Sequence, residues 1–401
     1  MKYIIMLGDG MADVPVASLG GKTPLQAAHK PNIDSLAPYA ELGMVKTVPE
    51  GMKPGSDVAN LSAMGYNPLE CYTGRSPLEA VSMGIQMNDT DVAIRCNLVT
   101  LSDEMEYSDK TMLDYSSGEI STEEAAQLIE AVEAALGGDG RIFYSGISYR
   151  HCMIWDRGPV GLDLTPPHDI SDRPVRDYLP ENPVILDLMK RSYEVLNDHP
   201  VNQSRRERGL NPANSIWLWG EGTKPGVSLF AETYGVKASV ISAVDLIKGI
   251  GICAGMEVLE VEGATGNLHT NFKGKGEAAL GTLLNGQDFV YIHVEAPDEC
   301  GHQGDVEGKV RAIELIDEQI VGPLLAGLGE AAEDYTILVM PDHPTPLGIK
   351  THTSDPIPYL IYCSNDPHES GISTYTEETA KSTGVYTDEG FRLVSRLLAH
   401  K

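Results

Sequence analysis

The chain has 401 residues, 42% hydrophobic and 22% charged, with a formal net charge of -28. That size and balance suit a soluble globular enzyme of more than one domain, and the negative charge argues against nucleic acid or anionic membrane surfaces as partners, since either would repel it. Met1 runs straight into an apolar strand without a signal peptide, no apolar run approaches the ~18 residues of a membrane span, and six scattered cysteines read as reduced core thiols; the expected location is cytoplasmic.

In chain order, Tyr3 to Leu7 reads as a short buried strand ending in Gly8-Asp9-Gly10. The glycines permit a tight turn and leave the Asp9 carboxylate at the strand's carboxyl end. Open α/β sheets carry their ligand chemistry there, although Asp in a turn also serves as a plain cap. Gly20-Gly21-Lys22-Thr23 lacks the first glycine of a phosphate-binding loop, because Val16 stands in its place, and is set aside. Pro54 to Ser62 (PGSDVANLS) follows a Gly- and Pro-rich loop and opens a helix at Ser56. A serine at that point caps the helix, and the free N–H groups beside it also favour a phosphate carried on its hydroxyl.

From about Asp89 the character changes. Ser121 to Leu136 predicts a helix with a Ser121/Glu124 capping box and an apolar stripe of Ala125, Leu128, Ile129, Val132 and Leu136. Arg- and Pro-rich segments surround it, so residues 89–221 read as an inserted domain within a core of 1–88 and 222–401. Beyond the insert, Val236 to Ile241 and Phe289 to Val294 predict strands. The second leads into Glu295-Ala296-Pro297-Asp298-Glu299-Cys300-Gly301-His302, where Asp298 and His302 share one face of a helical turn. Val306 to Leu328 carries the period of a covering helix. Thr336 to Met340 is an apolar strand cut off by Pro341 and followed by Asp342, His343 and, nine residues on, His352. The chain closes with LIYC and a helix from Asp388 to His400. Alternating strands and helices predict an α/β fold with a mainly parallel sheet covered on both faces.

Asp9, Asp298 and Asp342 each lie at or just beyond the carboxyl end of an apolar strand, and His302, His343 and His352 lie close by in sequence to two of them. If the strands are parallel neighbours, the six donors share one crevice. They exceed what one tetrahedral ion with an open position requires and suit two divalent ions, whose common use is phosphoryl transfer. Ser56 is then the candidate nucleophile, with a phosphoserine intermediate.

The motifs MLGDG, PGSDVANLSAMGY, TGRSPLEA, EAPDECGH and PDH followed by THT resemble the cofactor-independent phosphoglycerate mutases of the archaeal type, within the alkaline phosphatase superfamily. The resemblance covers nearly the whole chain. It implies an alkaline-phosphatase-like α/β domain interrupted by a smaller inserted α/β domain. Asp9, Ser56, Asp342 and His343 would hold one ion and Asp298, His302 and His352 the other, the metals being manganese, magnesium or zinc, with no 2,3-bisphosphoglycerate. Ser56 would carry the phosphoryl group between the 3- and 2-hydroxyls of glycerate, a small phosphorylated substrate. Arg95, Arg150, His151 and Lys275 are nominated to bind that substrate, and Lys275 matches the family lysine best. Glu119 stands where the family would have a histidine or arginine. A sub-branch marked by NPANSIWLWGEG, GISYRH and PHDI has been proposed to phosphorylate homoserine. That kinase, or a plain phosphomonoesterase, is the alternative on the same two-metal site.

Overall fold

The computed structural model describes residues 1–400. Its strands in chain order are β1 (Lys2–Gly8), β2 (Ala40–Val45), β3 (Asp91–Leu101), β4 (Met112–Asp114), β5 (Arg141–Tyr144), β6 (Arg150–Asp156), β7 (Ser215–Thr223), β8 (Ala238–Ile241), β9 (Glu257–Val258), β10 (Phe289–Val294), β11 (Tyr335–Met340), β12 (Ile357–Cys363) and β13 (Tyr386–Thr387). They fall into two compact units, an outer one of Met1–Tyr72 and Gly226 onward and an inner one of Thr73–Pro225. The inner unit takes in residues 73–88 and 222–225, which the sequence reading gave to the core. The helix Ser76–Ser82 explains the first difference, because its Ala80 packs with Ala93, Cys152 and Ile154 in one apolar cluster. Composition alone does not reveal such a contact.

The outer sheet has the order β13-β2-β12-β11-β1-β10-β8-β9, and β12 alone runs against its neighbours. β1 lies between β10 and β11, with Leu7 opposite both His293 and Met340. This parallel register brings the turns after Gly8, Val294 and Met340 to one row at the strands' carboxyl ends. Ile4, Met6, Val290, Ile292, Ile337 and Val339 share one buried cluster with Ile313, Ile316, Ile320 and Leu324 of a covering helix, and burial on both faces is what keeps these strands continuously apolar.

The predicted helix from Val306 to Leu328 is interrupted. It runs as Val306–Ile316, a wide π turn at Asp317–Val321, and Gly322–Glu330. Pro323 has no N–H to donate to the turn before it, and such a gap is relieved by widening. The buried Asp317 at this turn accepts from the backbone N–H groups of Asn32 (3.2 Å) and Ile33 (2.7 Å). The closing helix spans Arg392–Leu397, shorter than predicted.

The inner sheet is antiparallel, with β3 paired to β4, β6 and β7. Its helix Thr122–Leu136 buries the predicted stripe, and Ser121 accepts from the Glu124 N–H (3.3 Å). The reciprocal half of the predicted capping box is replaced, because the Glu124 carboxylate is engaged by Arg205 and Arg208. No helix among the described residues is long and apolar enough to cross a membrane.

Candidate active site

Every predicted metal donor lies in the outer unit. Asp9 follows β1, Asp342 and His343 follow β11, and Asp298 and His302 lie on the helix Ala296–Gln303 that follows β10. Two groups form, Asp9 with Asp342 and His343, and Asp298 with His343 and His352, their ligand atoms lying within 4.8 Å of one another. His343 therefore borders both. Its Nε2 lies 3.5 Å from Asp9 Oδ1, 3.3 Å from Asp342 Oδ2 and 3.2 Å from Ser56 Oγ. Ser56 opens the helix Ser56–Ala63 directly after an extended Gly55, so the hydroxyl stands where backbone N–H groups have no helical partner. His302 completes the second group: its Nε2 is 3.2 Å from Asp298 Oδ2 and 2.9 Å from His352 Nε2. Its Nδ1 lies 3.0 Å from the Lys350 carbonyl.

Gly10 makes this convergence possible. At φ 61° its backbone N–H donates to Asp342 Oδ1 (3.1 Å), and a Cβ there would lie 2.6 Å from Asp298 Oδ1. A side chain would occupy the donor crevice.

The electrostatics fit a cation. Burial first, then the neighbouring carboxylates Asp342, Asp298 and Glu295, push the Asp9 carboxyl well above its usual range. Asp9 Oδ1 is buried with no hydrogen-bond partner, a destabilising arrangement that a bound cation would offset. Burial also works to raise Asp298, but hydrogen bonds from His302 and His352 outweigh it and hold that carboxyl well below its usual range. His302 is in turn raised to about 9, chiefly by its bond to Asp298. Carboxylate and imidazole donors facing inward, without cysteine, are what a divalent transition metal accepts.

A family model described as 2,3-bisphosphoglycerate-independent phosphoglycerate mutase matches residues 37–202. A Geobacter sulfurreducens protein named probable 2,3-bisphosphoglycerate-independent phosphoglycerate mutase is 50% identical over 401 residues, covering 99% of this chain and 100% of its own. The chain belongs to this family. A Methanothrix thermoacetophila mutase of the same name is 49% identical over 404 residues, with 100% of both chains covered. Among solved structures, the PH0037 protein from Pyrococcus horikoshii matches with a TM-score of 0.82 at 30% identity over 99% of this chain and 96% of that one. A cofactor-independent phosphoglycerate mutase from Thermoplasma acidophilum matches with a TM-score of 0.69 at 24% identity over 100% and 99%, and bears on the fold alone. The chain is thus an enzyme of the isomerase class.

Four further residues are the candidates for substrate, Lys275 by the mutase resemblance and Arg95, Arg150 and His151 by their position in the inserted segment. Lys275 is fully buried in the outer unit, where its Nζ donates to the His293 carbonyl (2.9 Å); burial lowers its pKa to about 8 against the opposing pull of Glu295. The other three lie in the inner unit. Arg95 is tied to Glu79 through Nε (2.7 Å) and Nη2 (2.6 Å) and stacks 4.2 Å over the Trp219 ring, so its charge is already matched. Arg150 keeps its guanidinium at the surface, donating to the Tyr149 hydroxyl (2.8 Å). His151, the next residue of β6, points to the opposite face of the sheet. It is buried with Nδ1 accepting from the Gly146 N–H (3.0 Å), and burial lowers its pKa to about 3.

Several residues around these donors escaped sequence reasoning. Asn60, one turn along from Ser56, donates to the Ser56 carbonyl (2.8 Å) and to Asp342 Oδ2 (2.8 Å) while accepting from the Tyr291 hydroxyl (2.6 Å). Thr345 donates to Asp298 Oδ1. His293 stands 2.9 Å from Asp9 Oδ2, and burial lowers its pKa to about 3. Tyr291 and His293 sit two apart in an apolar strand, and that alternation of polar groups on one face is the signal that could have found them.

Proposed function

We propose that this enzyme interconverts 3-phosphoglycerate and 2-phosphoglycerate, carrying the phosphoryl group on Ser56 beside two divalent cations. The observation that supports this most is the Ser56 hydroxyl 3.2 Å from His343 Nε2, at the edge of two donor groups that share His343. Asp9, Ser56, Asp342 and His343 would hold one ion and Asp298, His302 and His352 the other, the candidate metals being manganese, magnesium and zinc, of which the histidine-rich second group favours a transition metal over magnesium. Bound there, the ions supply Lewis acidity toward the phosphoryl oxygens and the serine hydroxyl.

The chain's own groups account for the rest. Ser56 Oγ gives up its proton and attacks phosphorus, the bond to the 3-oxygen of glycerate breaks, and that oxygen takes up a proton in exchange. Glycerate then turns, its 2-hydroxyl loses a proton and accepts the group, and the Ser56 oxygen is restored. Asn60 steadies the nucleophile through the Ser56 carbonyl and its neighbouring carboxylate through Asp342 Oδ2. The helix start favours the anionic phosphoserine, so the contribution is positioning and electrostatics rather than further covalent chemistry. Of the two nominated arginines, Arg150 is the one proposed for substrate, because among the described residues no carboxylate holds its charge in an ion pair, whereas Glu79 already neutralises Arg95.

Phosphorus NMR of the purified, manganese-loaded enzyme tests the reading. Given 3-phosphoglycerate alone, it should accumulate 2-phosphoglycerate; given homoserine with ATP, it should form nothing new. Phosphohomoserine in the second reaction and no change in the first would transfer the same site to the kinase alternative, and release of inorganic phosphate alone would make it a phosphomonoesterase.

A further inference from the structure

We propose that His293 is a positioning residue for this reaction: its ring, oriented by Ser242, grips Asp9 by Oδ2 and turns the other carboxylate oxygen, Oδ1, toward the donor cluster. The inference rests on the reading of Asp9 as a cation ligand.

The register of the outer sheet sets the contact. Leu7 of β1 pairs with His293 of β10, so Asp9, just past the end of β1, lies within reach of a side chain near the end of the neighbouring strand. His293 is fully buried, its Nε2 is 2.9 Å from Asp9 Oδ2, and its Nδ1 is 3.1 Å from Ser242 Oγ. Ser242 Oγ already accepts from the Val244 N–H (3.0 Å). A hydroxyl has one proton to give, and here it is free to go to His293 Nδ1. With Nδ1 accepting, the single N–H of the neutral ring lies on Nε2 and donates to Asp9. With Asp9 ionised, as a cation ligand is, the opposite tautomer would set two lone pairs against each other at 2.9 Å between fully buried side chains.

The backbone is held as well, because the His293 carbonyl accepts from the buried Lys275 ammonium (2.9 Å). Asp9 Oδ1, by contrast, has no hydrogen-bond partner and lies 3.5 Å from His343 Nε2. One oxygen is held and the other is left for a ligand. Partners that orient a metal-binding side chain in this way typically change metal affinity about 10–100-fold when removed. A core histidine with a merely structural bond to Asp9 would change stability and leave the affinity alone.

Manganese affinity and stoichiometry, measured by calorimetric titration of metal-stripped protein, should separate these roles for His293→Phe, His293→Gln and Ser242→Ala. His293→Phe fills the space without a donor and should weaken one of two manganese sites by about 10–100-fold. His293→Gln restores an N–H near the Nε2 position and should recover most of that loss; Ser242→Ala should fall between. Long-range proton–nitrogen spectra of histidine-labelled wild type should show the His293 proton on Nε2, a reading that stands even if the phenylalanine variant does not fold. Two manganese sites of unaltered affinity in folded His293→Phe, or a proton found on Nδ1, would overturn the assignment. Asp9→Asn serves as the separate control: if it keeps both ions at full affinity, the fault lies in the reading of Asp9 as a ligand and not in the role given to His293.

Discussion

In the inner unit the buried Arg205 is held by Glu124 and the Ser117 carbonyl, and the half-buried Arg95 by Glu79, so that both of these cations meet a counter-charge within the chain. In the outer unit Asp9, Asp298 and Asp342 are equally buried, yet none forms an ion pair with lysine or arginine among the described residues; their neighbours are imidazoles, amides, hydroxyls and one another. Buried Asp13 is close by in the same unit and does have a cation, the Lys309 ammonium at 2.7 Å. The fold can therefore match a buried carboxylate where structure is all that is needed. Three left unmatched together mark the place where something else completes the charge balance.

The largest effect should follow from changing one of the unmatched three. Asp342→Asn should remove a cation and lower kcat/KM about a thousandfold, since a metal contributes several kcal/mol to the transition state and each 1.4 kcal/mol is tenfold. The same substitution should also abolish the rise in melting temperature that manganese gives, because a ligand stabilises only the protein that binds it. Metal analysis and melting with and without manganese read both effects, and equal shifts in the two melts would erase the contrast between the units. At the matched site, Lys309→Met leaves Asp13 buried without its partner and should cost about 3–5 kcal/mol by denaturant titration, with both ions still bound.

Smaller effects should divide the inner-unit arginines. Arg150→Ala should raise the KM for phosphoglycerate about tenfold, the worth of one charge-assisted hydrogen bond, at unchanged stability. Arg95→Ala should lower stability by about 1 kcal/mol, because Arg75 still reaches Glu79 at 2.7 Å, and should leave KM nearly unaltered. Smallest is a pH effect. His151 titrates at about 3 when folded and near 6.5 when unfolded, so the unfolded chain takes up the proton first as the pH falls. Its contribution is complete above about pH 6.5 and is lost progressively toward pH 3. Asparagine keeps an acceptor for the Gly146 N–H, so chemical denaturation of His151→Asn should show a shallower acid limb than wild type.

The donors at the strand ends were legible because a buried parallel strand writes itself as an apolar run, and Asp9 and Asp342 interrupt that pattern at its end. What surrounds them was not. His293 lies inside FVYIHV, where a lone histidine reads as a satisfied core residue, and it gains meaning only from the register of β10 against β1. Asn60 looked like any residue of a helix, though it bridges Ser56 and Asp342. Asp317 and Pro323 carried the signal of the π turn, but the apolar period ran through them unbroken. Pairing also hid from sequence, since nothing about Arg95 announces Glu79, sixteen residues earlier, as its partner.

The central claim is that Ser56 carries the phosphoryl group at the edge of the unmatched carboxylates. Peptide mass spectrometry of acid-quenched, manganese-loaded enzyme mixed with 3-phosphoglycerate labelled in its phosphate addresses it directly. The expected result is labelled phosphate on Ser56 that disappears in Asp342→Asn, whereas label on another residue, or full turnover with none on the protein, would contradict it.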